Sequence, residues 1–210
     1  MGYTVIAPLG DNVKALYVGI KEFPTDELYL LTPKSRYDEA KEVEKKLELF
    51  SIPVYIIETK EELMESMFFQ FSKILKGRNE DDVVVNVASG DKVSSCVALS
   101  AAYANGLKAF GISENESMLF PVMKLSYYKE LNDTKNEILK ALDDKDYISI
   151  ADISRKTGLG KSLISYHLNG TKKYKGLLDL RLVDVKEDRN KNYVKLSNLG
   201  NLLAKGYLKK

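Results

Sequence analysis

Two groups of residues in this 210-residue chain could carry chemistry. The first is Ser89-Gly90-Asp91-Lys92, set between the apolar run Asp82–Val87 and the helical pattern Val93–Asn105. A hydroxyl, a glycine and the free amides of a helix's first turn could cradle an anion, with Lys92 adding charge. The same residues suit an ordinary helix start, in which Asp91 or Ser89 simply caps the helix. Spacing alone leaves both readings open. A companion loop, Pro8–Asn12, follows the first apolar run, but Gly10-Asp11-Asn12 lacks the glycine spacing of a P-loop or a dinucleotide fingerprint. The second group is basic. Arg155, Lys156, Lys161, Lys172, Lys173 and Lys175 occur with no acidic residue between them, a composition suited to phosphate contacts and salt-dependent binding.

Other chemistry is thinly represented. The one histidine, His167, lies far from the first group, which excludes a Ser-His or Cys-His pair there, and no catalytic residue stands out. With no partner for metal binding, His167 reads as a packing or phosphate-contact residue, so neither metal nor cofactor is expected. The one cysteine, Cys96, allows no internal disulfide and no cysteine-based zinc site. Its neighbours Val97, Ala98 and Leu99 suggest a buried, inert thiol. Tyr3–Ala7 is too short for a signal peptide, and no stretch approaches the roughly 20 apolar residues that span a bilayer. A cytoplasmic protein without a membrane partner is expected.

The elements that must hold these groups follow from periodicity. Tyr3–Ala7, Glu27–Leu31, Val54–Ile57, Asp82–Val87 and Leu107–Ile112 read as strands, and Met118–Met123 as a weaker sixth at an edge, because of Pro121. Tyr37, Ala40, Val43, Leu47 and Phe50 recur at helical spacing, as do Leu63, Met67, Phe68, Phe71, Ile74 and Leu75, a stripe that reads as core packing. Alternating strands and helices predict an α/β, Rossmann-like, mostly parallel six-stranded sheet covered on both faces. Ligands of such sheets sit beyond the strands' carboxyl ends, where both loops fall.

From Asp133 onward the pattern is that of a winged helix-turn-helix. Asn132 or Asp133 caps a helix running to about Asp143, and Ser149 caps a second, Ile150–Lys156. Gly158 permits the bend of the turn Thr157–Gly160, and Leu159 plugs the space between helices. Lys161–Leu168 follows as a recognition helix, stopped by Asn169-Gly170. Leu163, Ile164 and Leu168 are expected in the core, with Lys161, Ser162, Ser165 and Tyr166 facing a major groove and His167 beside them. Val183–Lys186 and Tyr193–Leu196 flank a polar tip, Glu187–Asn192, from which Arg189 and Lys191 could reach the DNA backbone or minor groove. A last helix, Asn198–Tyr207, could pair with its copy in a dimer. The expected division is a sensing and dimerisation domain over 1–125, a linker over 126–132 and a DNA-binding domain over 133–210.

Charge separates the parts. Lys and Arg outnumber Asp and Glu by 17 to 10 from Asp133 onward, and are outnumbered 15 to 20 before it. Only the basic part is suited to a polyanion. The strand-loop-helix start, the turn Asn86-Val-Ala-Ser-Gly-Asp-Lys92 and the winged helix together resemble the archaeal CARF (CRISPR-associated Rossmann fold) winged-helix regulators. That resemblance implies loops converging on a two-fold axis to bind a cyclic oligoadenylate or related nucleotide through Gly10, Asp11, Asn12, Ser89, Gly90, Asp91 and Lys92. It therefore implies a homodimeric transcription regulator whose partners are double-stranded DNA and a small nucleotide-like ligand. Two alternatives remain: a ring nuclease that cleaves its cyclic nucleotide with Lys92 and Ser89, and a ligand-free dimeric assembly protein.

Overall fold

The computed structural model describes residues 2–113, 116–121, 130–142, 145–188 and 191–205. The chain divides into two compact units, the first running to Leu125 and the second beginning at Ser126. Of the expected linker 126–132, residues 126–129 lie outside the described residues.

The first unit is a six-stranded sheet built from β1 (Tyr3–Pro8), β2 (Thr25–Pro33), β3 (Val54–Thr59), β4 (Val83–Asn86), β5 (Lys108–Ser113) and β6 (Glu116–Phe120). The strand order is β3-β2-β1-β4-β5-β6. The first five strands are parallel and β6 is antiparallel to β5. The β6 strand stops one residue before Pro121 and lies at the sheet's edge, where a missing ladder donor costs nothing. Helices α1 (Val13–Glu22), α2 (Tyr37–Glu48), α3 (Leu63–Ile74) and α4 (Lys92–Ala104) connect the strands.

Side-chain alternation along β1 explains the two covered faces. Val5, Ala7 and Leu9 pack with Leu28 and Leu30 of β2 against Leu16 of α1 and Ala40, Val43 and Leu47 of α2. Ile6, Leu31 and Val85 are equally buried and point the other way by the two-residue period of a strand. There α3 and α4 pack on each other and on the strands. The Met67, Phe68, Phe71, Ile74 and Leu75 stripe of α3 is buried, each side chain contributing roughly 1.5–3 kcal/mol of transfer free energy. Two expectations need correction. Phe50 lies beyond α2 and is exposed, because the helix ends at Glu48 and the following turn carries it away from the sheet. Cys96 is exposed rather than buried: the inward stripe of α4 is Ser94, Val97, Ala98, Ala101 and Ala102, and position 96 falls outside it.

The second unit holds α5 (Asp133–Ala141), β7 (Ile148–Ser149), α6 (Ile150–Thr157), α7 (Lys161–Asn169), β8 (Val183–Asp188), β9 (Lys191–Leu196) and α8 (Asn198–Ala204). Its sheet has the order β7-β9-β8. Asn132 caps α5 through the Lys135 amide, and Ser149 with Asp152 forms a reciprocal capping box at the start of α6. Gly158 ends α6 at φ 73°, the left-handed conformation that glycine adopts without penalty. Ile138, Ile153, Ile164, Leu168, Leu177, Leu182 and Val194 close the core. The wing is longer than its polarity suggests, since Glu187 pairs with Asn192 and Asp188 with Lys191. Backbone pairing does not require apolar side chains, so the polar run reads as loop yet continues the ladder. Asp143, Arg189 and Tyr207 lie outside the described residues.

Candidate functional site

The strand order fixes where a ligand site can form. β1 continues to β2 on one side, β4 continues to β5 on the other, and the two strands are neighbours. Their following loops therefore separate at a topological switch point, where open α/β sheets place their ligands. Here the two loops are stitched together. The Gly10 amide donates to the Ser89 carbonyl at 3.0 Å, and the Ser89 hydroxyl donates to the Pro8 carbonyl at 2.8 Å. A Cβ on Gly10 would fall 2.0 Å from the Asp91 amide nitrogen, so the backbones touch as only glycine permits. Buried Asn86 anchors both sides, donating to the Ala15 carbonyl of α1 and accepting from the Ala88 amide.

The alternatives of cradle and cap can now be separated residue by residue. Asp91 accepts from the amides of Val93 at 2.8 Å and Ser94 at 3.0 Å, and its second oxygen accepts from the Ser94 hydroxyl at 2.8 Å. Burial opposes the charge on Asp91, but these bonds outweigh it and hold the carboxyl below the usual aspartate range. Ser89 is fully buried, with its hydroxyl engaged. Thus the Val93 and Ser94 amides are already satisfied, and Asn12 likewise caps α1 through the Ala15 amide. Of the expected ligand residues, Asp11, Asn12 and Lys92 are exposed, Gly90 and Asp91 partly so, and Gly10 and Ser89 are buried.

Sequence reading missed Arg36. It sits in the short 3-10 turn Lys34–Arg36 that follows β2. It donates to the Gly10 carbonyl at 2.8 Å and pairs with Asp11 at 2.5 Å and Glu39 at 3.2 Å. The available signal was positional: a cation directly after a strand's carboxyl end reaches the same edge as the other loops. Arg36 and Lys92 are thus two cations at the edge that carries Gly10 and Gly90.

In the second unit, Arg155, Lys156, Lys161, Lys172, Lys173 and Lys175 are all exposed. Arg155 pairs with Asp152, and Lys156 donates to the Ala141 carbonyl at 3.2 Å. On α7, Lys161, Ser162 and Tyr166 are exposed and Ser165 is half-buried. One expectation fails here: Leu163 is exposed rather than in the core, and of the two readings of His167 it is packing that its burial fits, because the inward stripe is Ile164, His167 and Leu168 at i, i+3 and i+4. Desolvation, then the nearby Lys135 charge, push the His167 pKa below the ordinary histidine value. Beyond α7 the lysines ride on a tight turn in which Thr171 and Tyr174 exchange backbone hydrogen bonds at 2.8 and 3.2 Å. Lys191 opens β9, opposite Asp188.

A family model described as HFX_2341_N-like, N-terminal matches residues 4–117, more than half of the chain. The chain belongs to that family. A second model, winged helix-turn-helix DNA-binding, matches residues 131–169, the segment that ends with α7. No curated protein matches the chain. Among solved structures, the chain is similar to Can2 from Sulfobacillus thermosulfidooxidans, determined with cyclic tetra-adenylate, at 13% identity and a TM-score of 0.45, covering 97% of this chain and 62% of that one. It is also similar to VC1899 from Vibrio cholerae, at 13% identity and a TM-score of 0.49, covering 97% and 64%. The chain therefore spans less than two thirds of the length of either, and both likenesses are too distant to bear on function. Among the described residues no helix is long and apolar enough to cross a membrane.

Proposed function

We propose that this family member is a homodimeric, ligand-responsive DNA-binding transcription regulator. The observation that carries the reading is the exposure of all six basic residues between Arg155 and Lys175 around α7, in a unit matched by a DNA-binding winged-helix model. In this reading Lys161, Ser162, Ser165 and Tyr166 read the major groove, while Arg155, Lys156, Lys172, Lys173 and Lys175 hold phosphates, with Arg189 and Lys191 serving the wing. The first unit senses a nucleotide-like anion at the switch point. Lys92, Asn12 and Arg36 supply the polar contacts, and Gly10 and Gly90 the close backbone approach. Its resemblance to CARF regulators makes a cyclic oligoadenylate the first ligand to try. Buried Ser89, already bonded to Pro8, gives the ring-nuclease alternative little to work with. Binding would alter the placement of two recognition helices that must match half-sites about one helical turn apart.

The test is filter binding of the purified protein to duplex DNA from upstream of its own gene over a salt series. Affinity that falls steeply with salt supports the reading. Weak binding indifferent to salt removes its DNA half, and calorimetry showing no uptake of cyclic oligoadenylates or mononucleotides removes its ligand half.

A further inference from the structure

The second unit contains a cavity of about 170 Å³ lined by Asn132, Lys135, Tyr166, His167, Gly170, Tyr174 and Lys175. A water molecule takes about 30 Å³ of liquid volume, so the space suits a small ion with a few waters. Its wall is built from unusual material for a winged-helix core. Lys135 is only 7% exposed, yet it carries an ammonium. That ammonium donates to the carbonyls of Glu130 at 2.8 Å and Lys175 at 2.6 Å, which leaves one of its three N–H groups unused among the described residues. His167 is 8% exposed, and among the described residues its imidazole has no hydrogen-bond partner. Its ring meets the edge of Tyr166, at 5.2 Å between centroids.

The charged and titratable groups around His167 explain what the space lacks. Lys135 comes from α5, Lys175 from the turn after α7, and Tyr166 and Tyr174 complete the lining. The carboxylate nearest Gly170 belongs to Asp179, and it is engaged by the Gly176 amide at 2.9 Å. The Lys135 ammonium, the His167 imidazole and Lys175, whose carbonyl accepts from Lys135, therefore line a space to which, among the described residues, no carboxylate contributes a lining group.

We propose that this cavity is a phosphate-type oxyanion site, held by Lys135, Lys175 and a ring nitrogen of His167. An oxyanion there accepts from the spare ammonium hydrogen and from the imidazole, and it relieves the repulsion between His167 and Lys135. Its source is either a phosphate of bound DNA or a free phosphate-type ion. In either case occupancy is sensed directly by α7, which carries both Tyr166 and His167.

The chain's single histidine makes the test direct. The imidazole of the full-length protein is followed by ¹H–¹⁵N NMR during titration with inorganic phosphate, with sodium chloride at matched ionic strength as the control. The expected result is a saturable shift of the His167 signals and an upward move of its pKa, absent with chloride. Lys175→Met, at an exposed position that leaves the fold intact, should weaken the response by about tenfold, the loss expected for a charge-assisted hydrogen bond. No shift with phosphate, or an undiminished shift in Lys175→Met, would overturn the proposal. Adding duplex DNA then separates the sources. Displacement of phosphate by DNA assigns the site to a backbone phosphate, and retention of phosphate on the DNA complex assigns it to a free ion. The phosphate arm is read without DNA, so failure of the DNA-binding reading would show separately.

Discussion

Gly10 and Asp91 meet backbone to backbone: a Cβ on Gly10 would lie 2.0 Å from the Asp91 amide nitrogen. This close approach couples the loop after β1 to the cap of α4, so the two halves of the candidate ligand edge cannot move independently. Gly10→Ala must push them apart. Destabilisation of about 1–3 kcal/mol is expected, in the range for overpacking, with weaker ligand binding by calorimetry. An unchanged urea midpoint for Gly10→Ala would show that the loops yield freely.

Asp91 also sets a pH dependence. Its carboxyl titrates below its unfolded value, so its contribution is present above about pH 4 and lost as pH falls through the folded value. Asp91→Ala should cost about 1 kcal/mol at pH 7, a typical cap loss. The difference from the parent should shrink towards pH 2 in urea unfolding. A difference that does not change with pH would mean that capping charge is not what Asp91 supplies.

His167 acts with the opposite charge and the same slope. Burial and Lys135 hold its folded pKa below the unfolded value of about 6.5. The unfolded chain then binds more protons, so stability is present above about pH 6.5 and falls as pH drops through the folded value. His167→Gln should flatten the stability profile below about pH 6.5. Thermal melts across that window in a buffer free of phosphate check it.

Neighbours on α7 should behave differently. Ile164 is fully buried and Leu163 is 42% exposed. Ile164→Ala should cost about 2–5 kcal/mol through the cavity it leaves, whereas Leu163→Ala should stay within about 0.5 kcal/mol. Equal losses would contradict the inward stripe Ile164, His167 and Leu168.

These contrasts show what was legible in the sequence. Runs such as Val83–Asn86 and the Met67–Leu75 stripe announce themselves, because burial on a period of 2 or 3.6 is written in hydrophobicity alone. Ser149 and Gly158 were legible because capping and left-handed turns select few residue types. Cys96 and Leu163 were misread for one reason: apolar neighbours in sequence lie on different faces of a helix, and one residue's rotation decides between core and solvent. The wing's outer pairs were missed because ladder hydrogen bonds belong to the backbone. Arg36 was missed because its partners Gly10 and Asp11 are brought to it only by the pairing of β2 with β1.

The lysines of the turn after α7 should govern salt dependence. Replacing Lys172 and Lys173 with alanine should weaken DNA binding across all sequences. It should also lower the slope of log affinity against log salt by about 0.9 for each phosphate that these side chains neutralise. An unchanged slope in filter binding would place these lysines away from the backbone.

The claim that the two units communicate is tested most directly by fluorescence anisotropy of labelled operator DNA, titrated with and without saturating cyclic tetra-adenylate. A change in DNA affinity of about 5- to 150-fold is predicted, the usual range for allosteric coupling, matched by a reciprocal change in ligand affinity. Ligand binding that leaves DNA affinity unchanged would contradict it.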